Sequence, residues 1–422
     1  MHTRKLILLF VVVLTALSAR AQSAGPAFDS HFADATLRLD YVFTGDATHK
    51  DIFLADRVRI PVWAGRREHL QTPLLRGNGQ VKVCSEATGE VLYVNGFATL
   101  FDEWQATEEA THTRRAYETV LQVPFPKEPV WVQVVLTDYH AKEVARIEHR
   151  VDPADILIRE RHPNGFETRL IHGNGNVEEA LDLVILSEGY TDGQQEKFFA
   201  DAARMVRDAL FAMEPYNKYQ DRFNIRAVFA PSLEEGPSVP HEGLWHETVA
   251  GTHYDTFYSE RYLTTSAMRR VCDAVGTVPY EHLVVLVNTP RYGGGGIYNG
   301  VTISSCDHPQ SEIVFVHEFG HAFAGLGDEY AYDEFESMYP SDTEPWEPNI
   351  TTLKDFSSKW EDMMQEGTVG LYEGAGNTSK GVYRPVEQCR MRVNNCPAFC
   401  PVCQRAIART IEFYTKNRGS SH

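Results

Sequence analysis

The stretch SEIVFVHEFGHAFAGLGDEY, residues 311–330, holds two histidines one helical turn apart, a glutamate between them and an acid just beyond a glycine. Residues four apart on an α-helix lie one above the other on the same face. His317 and His321 therefore aim two imidazoles at one point, where a zinc ion about 2.0–2.1 Å from each nitrogen would be held. Glu318 stands beside that point, placed to take a proton from a water bound there. Ile313, Val314, Val316, Phe319, Ala322, Phe323 and Leu326 make the stretch apolar almost all round, which predicts a helix buried in a core. Two imidazoles in such a helix need polar partners, and a metal supplies them.

The residues just past the helix bear on the rest of the ligand set. Gly325 can take the left-handed conformation that ends a helix and reverses the chain, which brings Asp328 back as a third ligand. Glu329 and Glu334 are the alternatives for that position. Three protein ligands leave a place for water, whereas a structural zinc closes its shell with a fourth.

With these residues the stretch resembles the metzincins, zinc peptidases marked by H-E-x-x-H-x-x-G-x-x-H and a later methionine turn. It departs from that pattern twice: three residues rather than two separate His321 from Gly325, and an aspartate replaces the last histidine. Without the insertion the ligand would fall on Gly327, which has no side chain to coordinate; keeping the Gly-x-x-ligand unit gives Asp328. Within the clan, H-E-F-G-H-x-F-A-G-L-x-D-E-Y most resembles the IgA-peptidase-like family of secreted bacterial metallopeptidases. The resemblance implies a zinc endopeptidase, in fold and in activity. Met391 stands where metzincins place their methionine turn, ahead of a last helix with a rough apolar face at Val402, Ala406 and Phe413.

The start of the chain reads as an export signal. Arg4 and Lys5 precede an apolar run over residues 6–17, too short to span a bilayer comfortably, and residues 19–21 form an A-x-A site, so cleavage is expected before Gln22. Losing Arg4, Lys5 and Arg20 takes 40 basic residues to 37 against 58 acidic ones, a net charge of −21. Such a chain repels nucleic-acid phosphates and anionic lipid, so neither nucleic acid nor, after cleavage, a membrane is an expected partner.

From residue 22 to 153 short runs rich in β-branched and aromatic residues, at 81–83, 91–94, 117–123 and 130–136, follow an alternating stretch at Leu37, Leu39, Tyr41 and Phe43, which predicts an all-β sandwich domain. Residues 154–176, with Asp152-Pro153 before them and Gly173-Asn-Gly-Asn176 at their end, read as a linker. Over 177–418 strands alternate with helices: strands at 181–186, 223–230 and 282–288, a helix opened by the Thr191–Gln194 capping box, and another near 264–275. This predicts an α/β catalytic domain with a largely parallel sheet.

Three further stretches bear on chemistry. His241, His246 and His253 are irregularly spaced in a polar loop and are left out of the site. Gly293–Gly300 reads either as a flexible loop or as the approach to an exposed edge strand, residues 297–305, where a peptide could pair its backbone. Cys389, Cys396, Cys400 and Cys403 lie close together, and in an exported chain they predict disulfides, with a structural zinc as the alternative; seven cysteines leave at least one thiol over. Residues 341–381 read as a long surface segment.

The expected function is thus secreted hydrolysis of peptide bonds in proteins or glycoproteins, with His317, His321 and Asp328 on one zinc ion and Glu318 as general base. The family's name suggests immunoglobulin A as a substrate. A zinc amidase or deacetylase acting on cell-wall or glycan amides would use the same groups. A binding protein on a degenerate peptidase fold would not need the intact Glu318.

Overall fold

Alternating apolar residues build the first third of the molecule. The computed structural model describes residues 27–332 and 338–415. A short helix, α1 (Phe28–His31), leads into β1 (Phe32–Gly45) and β2 (Lys50–Ile60), followed by β3 (Gly79–Ser85), β4 (Val91–Phe97), α2 (Leu100–Gln105), β5 (Arg115–Pro126), β6 (Val130–Thr137) and β7 (Glu143–Val151). β5, β1 and β2 form one antiparallel sheet, and β4, β3, β6 and β7 another. Leu37, Leu39, Tyr41 and Phe43 from the first meet Val81, Val83, Val132 and Val134 from the second in one core. Phe101 and Trp104 of α2 close that core, and the hydroxyl of Thr99 caps the helix by accepting from the backbone N–H of Asp102 at 3.1 Å.

The segment expected as a linker contributes strands on both sides. β8 (Arg159–Glu160) adds to the first sheet beside β2, and β9 (Glu167–His172) pairs antiparallel with a strand of the next sheet. Both strands are largely exposed, so they carry no apolar period by which the sequence could mark them.

The second part is a covered sheet built from β10 (Leu181–Glu188), α3 (Gln195–Arg204), β11 (Phe223–Phe229), α4 (Met268–Val275), β12 (His282–Val287), β13 (Gly294–Ile297), β14 (Val301–Ser305), α5 (Ser311–Ala324) and α6 (Pro401–Thr415). Its order is β13-β14-β12-β10-β11-β9, with the four central strands parallel and the two edges antiparallel. β10 and β12 are buried along their whole length, their apolar runs at 183–186 and 283–287 covered on both faces. Leu183, Ile185 and Ile225 pack with Phe315, Phe319 and Phe323 of α5 on one face; Val184, Leu186 and Val285 pack with Val271 and Val275 of α4 on the other.

Three expectations are corrected. Residues 297–305 are not one edge strand: Asn299, at φ 50°, and Gly300 turn the chain, and the Gly300 N–H donates to the Ile297 carbonyl at 2.8 Å. The edge is β13, and β14 lies inside the sheet. The helix near 264–275 starts only at Met268, because Thr264 is held in a bridge with His253. Residues 341–381 are not merely surface: they carry β16 (Tyr372–Ala375), pair it with β17 (Asn377–Arg384), and bury Ile350 and Trp360. β15 (Ala331–Tyr332) completes this small sheet.

The two parts are docked on each other. Arg38 of β1 is 1 % exposed, pairs with Asp40 at 2.7 Å and reaches Asp273 of α4 at 2.7 Å. The Ala98 N–H donates to the Tyr298 carbonyl at 3.0 Å, and Asn299 Nδ2 to the Gly96 carbonyl at 2.7 Å, so the first part lies against the β13–β14 turn. Among the described residues no helix is long and apolar enough to cross a membrane. The expected signal, residues 1–21, lies outside them.

Candidate metal centre and its cleft

Helix α5 brings His317 and His321 onto one face, with Nε2 atoms 3.0 Å apart. Gly325 ends the helix in the left-handed conformation, φ 61°, and its N–H donates to the His321 carbonyl at 3.0 Å. The chain then returns Asp328, whose Oδ1 lies 3.2 Å from each of the two Nε2 atoms. That oxygen is buried and makes no well-formed hydrogen bond. Ligands about 2.0–2.1 Å from one ion at tetrahedral angles are about 3.3 Å apart, so the donor set fits zinc.

The outer nitrogens are fixed as metal-binding imidazoles require. His317 Nδ1 faces the Arg390 carbonyl at 3.2 Å and His321 Nδ1 the Leu326 carbonyl at 2.5 Å. Donating from Nδ1 places each Nε2 lone pair toward the centre. Burial acts to lower His321, but the charges of Asp328 and Glu318 raise it to about 9. Burial acts to raise Asp328, yet the two imidazoles beside it hold it far below the usual carboxylate range.

Glu318 is half-buried on the same helix, and burial raises its carboxyl above the ordinary value against the opposing pull of His317 and His321. Strand β13 runs beside it. A Cβ on Gly294 would stand 2.7 Å from Glu318 Cγ, and one on Gly296 would stand 2.2 Å from the Glu318 carbonyl oxygen. The glycine run is therefore the condition for helix and strand to approach, and not a flexible loop. The outer edge of β13 is engaged at one end, where the Leu263 N–H donates to the Gly294 carbonyl at 3.2 Å. With Ala98 on Tyr298 at the other end, Gly296 is left between them.

These groups lie at the floor of a cleft of about 730 Å³. Its walls include Tyr262, Tyr292 and Tyr330 from the second part, and Asn78, Thr99, Glu103 and Tyr139 from the first. Glu103 accepts from the Tyr262 hydroxyl at 2.5 Å, and the Tyr330 ring stacks on that of His317, 6.5 Å between centroids. None of these was found by sequence reasoning; for Tyr330 the signal was its place two residues after Asp328, and for the others there was none.

Met391 is fully buried under α5, close enough that a Cβ on Gly320 would stand 3.1 Å from its sulfur. Its carbonyl accepts from the Glu329 N–H at 2.9 Å, next to the Arg390 carbonyl that faces His317. Glu329 itself turns away from the histidines and meets Cys389, Cys400 and Cys403. Glu334, the other alternative, lies outside the described residues. The expected disulfides are absent: all seven cysteines are unpaired, and Cys389 Sγ and Cys403 Sγ are 3.8 Å apart.

His241, His246 and His253 do not converge; His241 pairs with Asp255 at 2.9 Å, and the other two face backbone carbonyls. Asp201, Cys306 and Asp307 also cluster, but Lys197 Nζ sits 2.8 Å from both carboxylates and supplies their cation.

Residues 170–369 and 365–411 match the family model described as IgA Peptidase M64, and residues 27–147 match that of the Peptidase M64 N-terminus. The chain belongs to the IgA peptidase M64 family. His317, Glu318, His321 and Asp328 all fall within the peptidase match, so the resemblance carried by H-E-F-G-H is a resemblance to its own family, and the class of activity is that of a peptidase. No curated protein matches the chain.

Proposed function

We propose that this M64 family member is an exported zinc endopeptidase with a metzincin-like catalytic part, acting on proteins or glycoproteins. The observation that carries the reading is the triangle of His317 Nε2, His321 Nε2 and Asp328 Oδ1, with sides of 3.0–3.2 Å, on the floor of an open cleft with Glu318 beside it. These three residues would hold the ion. Zinc bound there supplies polarisation of the scissile carbonyl and a water with its pKa lowered toward about 7. Glu318 would accept a proton from a water held at the centre and deliver it to the leaving amine; its raised carboxyl pKa brings its proton affinity closer to what both transfers need. Tyr330 stacks its ring on that of His317 at the edge of the centre. Gly296, between the two engaged ends of β13, offers the backbone group nearest the helix for a substrate strand.

The family's name supports immunoglobulin A as one substrate. Export rests on residues 1–21, and the acidic charge supports neither a nucleic acid nor a membrane as partner. Glu318→Gln tests the base: it keeps the shape but accepts no proton, so zinc should stay while casein digestion falls at least about 100-fold. Digestion near the wild-type rate would show that water is activated by another group.

A further inference from the structure

Directly behind the catalytic centre, four side chains converge without a partner that explains them. Glu329, Cys389, Cys400 and Cys403 are all buried, and their ligand atoms lie within 4.8 Å of one another. Glu329 is 0 % exposed, and its Oε2 has no hydrogen-bond partner among the described residues. A carboxylate at that depth with one oxygen unmet is costly unless a cation or a further hydrogen bond meets it.

We propose that these four residues form a second zinc site, closed and structural, that fixes the floor of the cleft. The geometry is that of a tetrahedral shell. Two thiolates about 2.3 Å from one zinc ion stand about 3.8 Å apart, and a thiolate and a carboxylate oxygen about 3.5 Å apart. Cys389 and Cys403 sulfurs are 3.8 Å apart, and Glu329 Oε1 lies 3.1 Å from Cys403 Sγ and 3.9 Å from Cys400 Sγ. A disulfide needs about 2.05 Å and would leave the remaining thiol and the acid buried together.

The surroundings suit an anionic metal centre. The Cys400 N–H points at Cys389 Sγ at 3.3 Å, and the Cys403 N–H at Cys400 Sγ at 3.4 Å. Asn349 Nδ2 donates to Glu329 Oε1 at 2.9 Å. Cys400 immediately precedes α6, whose N-terminal dipole favours negative charge. Arg384 and Arg390, both buried, are near enough to feel Glu329 and Cys389. Three thiolates select zinc over calcium or magnesium, and four protein ligands leave no place for water, so the site is not catalytic. Cys396 stays outside it, directed to the Ala398 carbonyl at 3.3 Å.

Asp328 and Glu329 are adjacent, so one peptide links the two metals. Cys389 lies two residues before Met391 and one before Arg390, the residue that orients His317. Zinc binding, with the thiol protons released to solvent, would tie the ligand loop, the methionine turn and α6 to one point.

The inference rests on its own four residues and stands or falls apart from the peptidase reading. Cobalt(II) substituted into the wild-type protein should give a thiolate-to-cobalt charge-transfer band in the near ultraviolet, which the His317, His321 and Asp328 site cannot produce. His317→Ala/His321→Ala should keep about one zinc per chain together with the band on cobalt substitution, and adding Cys403→Ser should remove both. Absence of the band in the wild-type cobalt protein, loss of all zinc in the double-histidine variant, or a disulfide among these three cysteines in a non-reducing peptide map would overturn it.

Discussion

Asp328 faces two imidazoles and Glu329, one peptide bond away, faces three thiols. What each packs against decides which acid can reach the histidines: the Glu329 N–H donates to the Met391 carbonyl at 2.9 Å and its carboxylate accepts from Asn349 Nδ2 at 2.9 Å, on the side away from the imidazoles. Asp328 also sets the proton affinity of His321. In the metal-free protein His321 is raised to about 9 from an unfolded value of about 6.5, so its contribution is complete below about 6.5 and is lost as pH rises through about 9. Asp328 is depressed, so its contribution is present above about 3.9 and lost only in stronger acid. Chelator-stripped protein should therefore lose up to about 3 kcal/mol between pH 6.5 and 9, read as a falling unfolding temperature, and Asp328→Ala should flatten that slope. An unchanged slope in the variant would remove Asp328 from the centre. The residues His317, Glu318 and His321 were legible in the sequence because helical geometry alone fixes their spacing. Asp328 was legible only as one of three acids, since the direction of a side chain in an irregular turn depends on what it packs against.

Helix α5 and strand β13 approach closely because Gly294 and Gly296 leave the space, while Gly295 between them faces Tyr262, Leu263 and Thr264 on the other side. In sequence such a run reads as a loop: glycine has no strand preference and no side chain to show a period. The strand is imposed from outside, by β14 on one side and the helix on its face. The Asn299-Gly300 turn was the missed signal, since Asn-Gly between apolar runs marks a hairpin. Gly296→Ala would put a methyl group 2.2 Å from the Glu318 carbonyl, and the helix would have to move. A cost of about 1–3 kcal/mol is expected by denaturant unfolding, with peptide hydrolysis reduced by more than stability alone explains because Glu318 and His321 shift together. Gly300→Ala, whose Cβ would meet only the Ile297 side chain and carbonyl at 3.1–3.3 Å, should cost less. Equal effects would show that the close approach at Gly296 is unimportant.

At the scale of the molecule, the cleft belongs to both parts of the chain. Long apolar strands and helices could be read one by one, since their periods are local: the runs at 181–186 and 282–288 appear as β10 and β12 almost unchanged. The wall formed by Asn78, Thr99, Glu103 and Tyr139 could not, because docking is set by single contacts such as Arg38 with Asp273 that leave no pattern in sequence. The thiol cluster was visible as spacing, but its partner Glu329 comes from 60 residues earlier than Cys389, and only the fold unites them. The proposed metal centre, its proposed base and the two-sided cleft together make one claim: a peptidase that needs its metal. The decisive measurement is mass spectrometry of new peptide termini after incubating casein and immunoglobulin A with zinc-loaded, chelator-stripped and zinc-restored protein. Internal cleavage is expected with the first, none with the second, and its return with the third; cleavage that survives stripping, or no new termini with zinc bound, would contradict it.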